Sequence, residues 1–203
     1  MQTAGFQVKR IHMDGQFEVI QDKLTVKKQG PWINITSRDE HVPEVKCYIH
    51  TIKEQVRCVY NTLLFNKLPA RMTAEIAYSA VFWLNSFSNQ IRISKSISPK
   101  RMVKGQDISY KKHCTLAFGS YAQVHEQHDN DMATRTTGAI ALGPTGNTQG
   151  SHSFFSLTTG RRLNKSHKTK LPMPAEVIAR VHEMASQNIR AKKSLKFYDK
   201  TGL

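Results

Sequence analysis

Apolar residues recur at Val42, Val45, Ile49, Ile52, Val56, Val59 and Leu63, with spacings of three and four throughout. Such spacing draws one apolar stripe along an amphipathic helix. Asp39 and Glu40 precede the stripe, and Pro43 suits a first helical turn, where its missing N–H costs nothing. A second helix is expected from Ala70 to Phe87. Its stretch IAYSAVFWLN is apolar nearly all round, which predicts burial. A short helix is expected after Pro99. Upstream, the alternating run FQVKRI leads into His12-Met13-Asp14-Gly15 and reads as a strand entering a turn. Ile33 to Ile35 suits another short strand.

The texture changes near Lys112. Between Leu116 and Leu171 come short β-prone runs, LAFGSYAQVH, GAIALG, HSFFSL and RRLNKSH, separated by the turn segments GPTGNTQG and TTGR. Short strands with closely spaced turns predict a small barrel or sandwich. After Pro172-Met173-Pro174, residues 175–186 predict a last helix with a basic, frayed end at Arg190–Lys196. Trp32, Phe82, Trp83, Phe154 and Phe155 read as core. The expected organisation is therefore α/β: residues 1–110 with a strand and two long helices, residues 111–174 as a small all-β barrel, and residues 175–203 as a helix and basic tail. A strand opening directly into two helices makes a poor free-standing core. The sheet that those helices cover is thus expected to lie mostly outside this chain.

Composition narrows the function classes. Thirty Lys and Arg stand against fifteen Asp and Glu, a net charge of +15 in 203 residues. Such an excess attracts polyanions and favours phosphate backbones; the competing reading is a solubility surface or a ribosome-like partner. No apolar run approaches the ~18–20 residues that span a bilayer, and MQTAGFQVKR lacks the apolar stretch of a signal peptide. The expectation is a soluble intracellular protein, nuclear or cytoplasmic, neither secreted nor membrane-bound. Cys47, Cys58 and Cys114 form no CxxC pair. Cys47 and Cys58 would lie about 16 Å apart along one helix, too far to bridge.

Two acidic positions draw attention. Asp14 falls where a strand is expected to end, and functional groups cluster at the carboxyl ends of strands in open α/β sheets. Glu44 falls in the first turn of the amphipathic helix. Carboxylates from a strand end and a helix can share magnesium, which prefers oxygen ligands. Equally, Asp14 reads as a turn residue and Glu44 as a first-turn acid favoured by the helix dipole. His50, His125 and His128 lack partners at zinc-ligand spacing and read as polar surface residues.

A chain of segments resembles one family. HMDGQFE resembles the region of the second aspartate in retroviral-type integrase cores, T-D-N-G-x-E-F. EHVPEVKCYIHTIKEQVR resembles the helix of copia-type retrotransposon integrases whose glutamate completes an Asp-Asp-Glu triad, and LPARMTAEIAYSAVFWLNSF is similar to the helix that follows. SPKRMVKGQ resembles the next copia turn. LAFGSYAQVHEQ and GAIALGPTGNTQGSHSFFSLTTGRRLNKSHKTKLP are similar to the small barrel of Src-homology type after the core. The resemblance covers roughly residues 8–175, and the order of the segments is more specific than any one of them.

The resemblance implies a partial ribonuclease-H-like integrase core, DNA as partner, self-association as in integrases, and magnesium or manganese as cofactor. Asp14 would be the second metal-binding carboxylate and Glu44 the third. The first Asp would lie on a strand well upstream of Asp14, which has thirteen residues before it. Gly15 stands where the family has Asn, and 29 residues separate Asp14 from Glu44, a few fewer than the family shows. The resemblance thus implies an N-terminally incomplete polynucleotidyl transferase, inactive alone. The alternative is a non-enzymatic basic nucleic-acid-binding protein.

At 100° per residue, Glu44, Tyr48, Thr51 and Gln55 share one edge of the helix, and Lys46, His50, Lys53 and Arg57 another. Tyr48 and Thr51, beside the acidic position, and Lys53 and Arg57, on the basic face, are candidate DNA contacts. Solvated surface is the rival reading for the basic face. The denser candidate is the run holding Arg161, Arg162, Lys165, Lys168 and Lys170, where phosphate contacts would add affinity without sequence readout.

Overall fold

A computed structural model describes residues 7–15, 18–20, 31–36, 43–88, 94–126 and 132–191; the side chains of Asp14, Glu44 and residues 188–191 lie outside the description. The molecule mixes helix and sheet. Strand β1 (Arg10–Asp14) pairs in parallel with β2 (Trp32–Thr36), in register from Arg10↔Trp32 to Asp14↔Thr36. This pairing carries β1 through His12 and Met13 to Asp14, where a strand is expected to end, although the strand starts later than the alternation of residues 6–11 predicts. Parallel strands need a crossover, and residues 18–20 within it are helical.

Two long helices follow, α1 (Pro43–Thr62) and α2 (Ala70–Ser86), as their periodicity predicts. The expected start of α1 at Val42, with Asp39 and Glu40, lies outside the described residues. The short helix α3 (Pro99–Lys104) is closed at both ends. Ser98 Oγ accepts from the Arg101 N–H, Pro99 takes the first turn, and Gly105 ends it in the left-handed region. Helix α4 (Tyr110–His113) is a single turn.

Strands β3 (Tyr121–His125), β4 (Thr136–Pro144), β5 (His152–Ser156), β6 (Arg162–Lys165) and β7 (Lys168–Lys170) form one antiparallel sheet in the order β6-β5-β4-β3-β7. Its two edge strands are joined by Ser166 and His167 alone. Three residue steps reach at most about 10 Å, whereas the edges of a flat five-stranded sheet lie about 19 Å apart. The sheet must therefore curl until its edges approach. A bulge between Ala141 and Gly143 supplies part of the bend.

Curling divides the apolar residues between two cores. The inner face holds Leu116, Ala122, Val124, Ala139, Ala141 and Phe154. Three of these are alanines, as a tight curl with little interior space requires. The outer face presents Ile140, Leu142 and Phe155 to a larger cluster with Phe65, Met72 and Ile76. Helix α5 (Ala175–Ala191) adds Val177, Val181 and Met184 to that cluster. The Asn66 N–H donates to His182 Nε2 at 3.0 Å, tying α5 to the α1–α2 link. One core thus joins residues on both sides of position 110 and of position 174.

Several expectations need correction. Helix α2 covers the five-stranded sheet of this same chain, because alternation in β4 aims Ile140 and Leu142 outward at Met72 and Ile76. Its second half is only partly buried, and Tyr78 is exposed. Trp32 is not core: it is 58% exposed, with the Arg10 guanidinium 5.1 Å from its ring centroid. Its neighbours across the two-stranded pair, Arg10 and His12, are polar and leave the ring open to solvent. In α1 the apolar stripe is packed only at its end. Val56 and Val59 meet the core, while Val45 and Ile49 are 51% and 46% exposed. Helix α5 extends beyond residue 186, and the basic segment 192–196 lies outside the described residues.

Candidate nucleic-acid interface

Asp14 is the last residue of β1, opposite Thr36 at the end of β2, and the Thr36 hydroxyl donates to the Met13 carbonyl at 3.1 Å. Because the pair is parallel, both carboxyl ends lie on one side. Glu44 occupies the first turn of α1. Asp14 thus ends a strand and Glu44 lies at the start of a helix. Among the described residues no group of three or more His, Cys, Asp or Glu side chains comes together to hold a metal. His125 and His167 approach as a pair, ring centroids 6.0 Å apart, while His128 lies outside the described residues.

On α1, the polar edge has structural partners. Tyr48 Oη donates to Asn85 Oδ1 at 3.3 Å, linking α1 to α2, and the Thr51 hydroxyl donates to the Cys47 carbonyl at 3.0 Å. On the basic face, Glu54 pairs with Arg57 and lies 3.8 Å from His50 Nε2, so part of that charge is locally neutralised. Lys53 is exposed. All three cysteines are free and exposed.

The run from Arg161 to Lys170 separates into inward and outward residues. Arg162 Nη1 reaches Glu75 Oε1 at 3.2 Å, while its Nη2 donates to Ser153 Oγ at 2.8 Å. Glu75 is buried on α2 with a side chain 6% exposed, so the guanidinium neutralises a desolvated carboxylate and ties β6 to α2. Lys168 lies across from Val124, on the inner side, and donates to the Gly150 carbonyl at 3.3 Å. Burial holds its ammonium below the ordinary lysine range. Lys165 is half-buried opposite His152. Arg161 and Lys170 are exposed and open to a polyanion.

His152 is wholly buried at the start of β5. Burial lowers its pKa, and the nearby Lys168 adds to the effect, against the Gly150 and His113 carbonyls that favour its protonated form. His113, also buried, contacts the Ser109 carbonyl through Nδ1 at 2.9 Å and the Asn147 carbonyl through Nε2 at 2.8 Å. It fastens α4 to the β4–β5 turn.

A second basic region was missed by sequence reasoning. A cleft of about 350 Å³ opens between the end of α2, α3 and the β4–β5 turn, lined by Phe82, Asn85, Lys100, Lys104, Thr145 and Gly146 among others. Lys100 Nζ lies 4.9 Å from the Phe82 ring centroid and 3.4 Å from the Gly146 carbonyl. Its pKa is lowered, first by burial and then by Lys104. Residues 94–115 hold six Lys or Arg against Asp107 as the single acid, which pairs with Arg101 at 3.0 Å. The signal in the sequence was the density of lysines beside aromatics, as in Tyr110-Lys111-Lys112. No helix among the described residues is long and apolar enough to cross a membrane. No protein-family model matches the chain, and no curated protein matches it either.

Proposed function

We propose that this chain is a DNA-binding portion of a copia-type integrase, a partial ribonuclease-H-like core followed by a barrel of Src-homology type. The observation that carries the reading is the parallel pair β1–β2, which ends at Asp14 and leads to a long helix with Glu44 in its first turn. The exposed Val45 and Ile49 on that helix suit a face that further strands would cover. The curled sheet, with its edges joined by two residues, suits the small barrel. The charge of +15 suits a phosphate-backbone partner.

In an integrase of this kind, Asp14 and Glu44 would help hold a divalent metal whose charge would favour attack of a DNA 3′ hydroxyl on a target phosphodiester, with the target strand's own 3′ oxygen leaving as the hydroxyl. They would supply two of three such carboxylates. A cooperative site with one member absent loses nearly all activity, so the expected behaviour of these 203 residues is DNA binding without strand transfer. Two measurements test this. Joining of labelled DNA ends in magnesium or manganese, abolished by Glu44→Gln, would overturn the expected inactivity. Calorimetric magnesium uptake that disappears in Asp14→Asn supports the integrase reading. Its absence favours the alternative, a non-enzymatic basic nucleic-acid-binding protein whose carboxylates are structural.

A further inference from the structure

Four aromatic rings run outward from the basic cleft. Phe82, in the cleft wall, meets Trp83 edge to face at 5.1 Å between centroids. Trp83 stacks on Phe87 at 5.7 Å with planes 14° apart, and Phe87 stacks on Tyr110 at 6.1 Å with planes 30° apart. The row ends in solvent: Phe87 is 41% exposed and Tyr110 65% exposed. Phe87 covers part of the Tyr110 ring in this stacked pair, and the rest of the ring stays open to solvent.

The rings are firmly mounted. Trp83 belongs to α2, which is packed against the curled sheet. Tyr110 begins α4, and α4 is held by the buried His113 and by Lys112 Nζ, which donates to the Thr148 carbonyl at 2.9 Å. At one end of the row Lys100 and Lys104 line the cleft with Phe82, and at the other Lys111 follows Tyr110 in the chain; Lys104 and Lys111 are exposed and without an ion-pair partner among the described residues. Exposed flat rings beside uncompensated ammonium groups match one chemistry closely. Unpaired bases present π-faces to stack, and the backbone that joins them presents a phosphate at each step. A duplex offers the phosphates but keeps its bases stacked on one another.

We infer that the face formed by Phe87, Tyr110, Lys104 and Lys111 binds single-stranded polynucleotide, with a base on the Tyr110 ring and phosphates on the lysines. This deepens the nucleic-acid reading above and rests on it for the class of partner. It places the single-strand surface on the end of α2, α3 and α4, a different set of elements from the strands of the Arg161–Lys170 run.

The test is anisotropy titration of the full chain with a labelled oligothymidylate and with a blunt duplex of equal length. Tyr110→Ala is expected to weaken single-strand binding about 5- to 150-fold, the range for one base–aromatic stack, and to leave duplex binding unchanged. Tyr110→Phe keeps the ring and is expected to keep the affinity. Lys104→Ala with Lys111→Ala is expected to flatten the salt dependence on the single strand by about 0.7 for each phosphate no longer neutralised. Unchanged single-strand affinity in Tyr110→Ala, or an equal loss on the duplex, overturns the inference. Duplex binding with no single-strand binding overturns it too while leaving the DNA-binding reading intact. Absence of both in the unmodified chain removes that reading as well.

Discussion

Arg162 illustrates how one residue's environment changes its meaning. Within a basic run it reads as a phosphate contact, yet its guanidinium faces Glu75 and Ser153. Removing it would leave the buried Glu75 carboxylate without its partner, and an unpaired buried charge is strongly destabilising. Because Arg162 is itself 40% exposed, water screens part of the interaction and can replace part of it. Arg162→Ala is therefore expected to lower unfolding free energy by about 1–3 kcal/mol, below the fully buried case. Urea titration measures this. A variant as stable as the parent, but with weaker duplex binding, would return Arg162 to the candidate DNA contacts.

At the scale of elements, the decisive object is the curled sheet and what rests on it. Gly119 lies just before β3, with a φ of +83°, and its N–H donates to the Ala141 carbonyl at 2.8 Å. A Cβ there would stand 2.4 Å from Leu63 Cδ2, within the link between α1 and α2. Both the left-handed backbone and the close approach demand glycine. Gly119→Ala is expected to cost at least about 1–2 kcal/mol, seen as a lower denaturant midpoint with an unchanged slope. An unaltered midpoint would mean that the helix link does not depend on this contact. Helix α1 shows the opposite situation. Its amphipathic pattern was fully legible, but only its final turns meet the core, because periodicity names a face without naming what covers it.

For the whole molecule, the excess of positive charge is the dominant property, and its distribution decides its use. Arg161 and Lys170 are the outward members of the Arg161–Lys170 run, whereas Arg162 and Lys168 face inward partners. Each phosphate neutralised on duplex DNA contributes about 0.9 to the slope of log affinity against log salt. Arg161→Ala with Lys170→Ala is expected to reduce the duplex slope by about two of these contributions. A constant slope would mean that neither side chain contacts duplex DNA.

The linear sequence by itself determined the local order of elements: helix periodicity from Val42 to Leu63 and from Ala70 to Phe87, a short helix after Pro99, and β-prone runs with turns from 116 to 171. These depend on spacing and on backbone chemistry within a few residues, which a chain carries wherever it folds. Tertiary structure alone decided which sheet α2 covers, that Trp32 is open to solvent, and that Arg162 faces Glu75. It also brought Phe87 and Tyr110 together into one stacked row beside exposed lysines. Each of these depends on contacts between residues distant in the chain, and the covering of the sheet by α2 and the Arg162–Glu75 pair depend on how the five-stranded sheet curls. The two-residue link between its edge strands forces that curl, but only once the strand order is known.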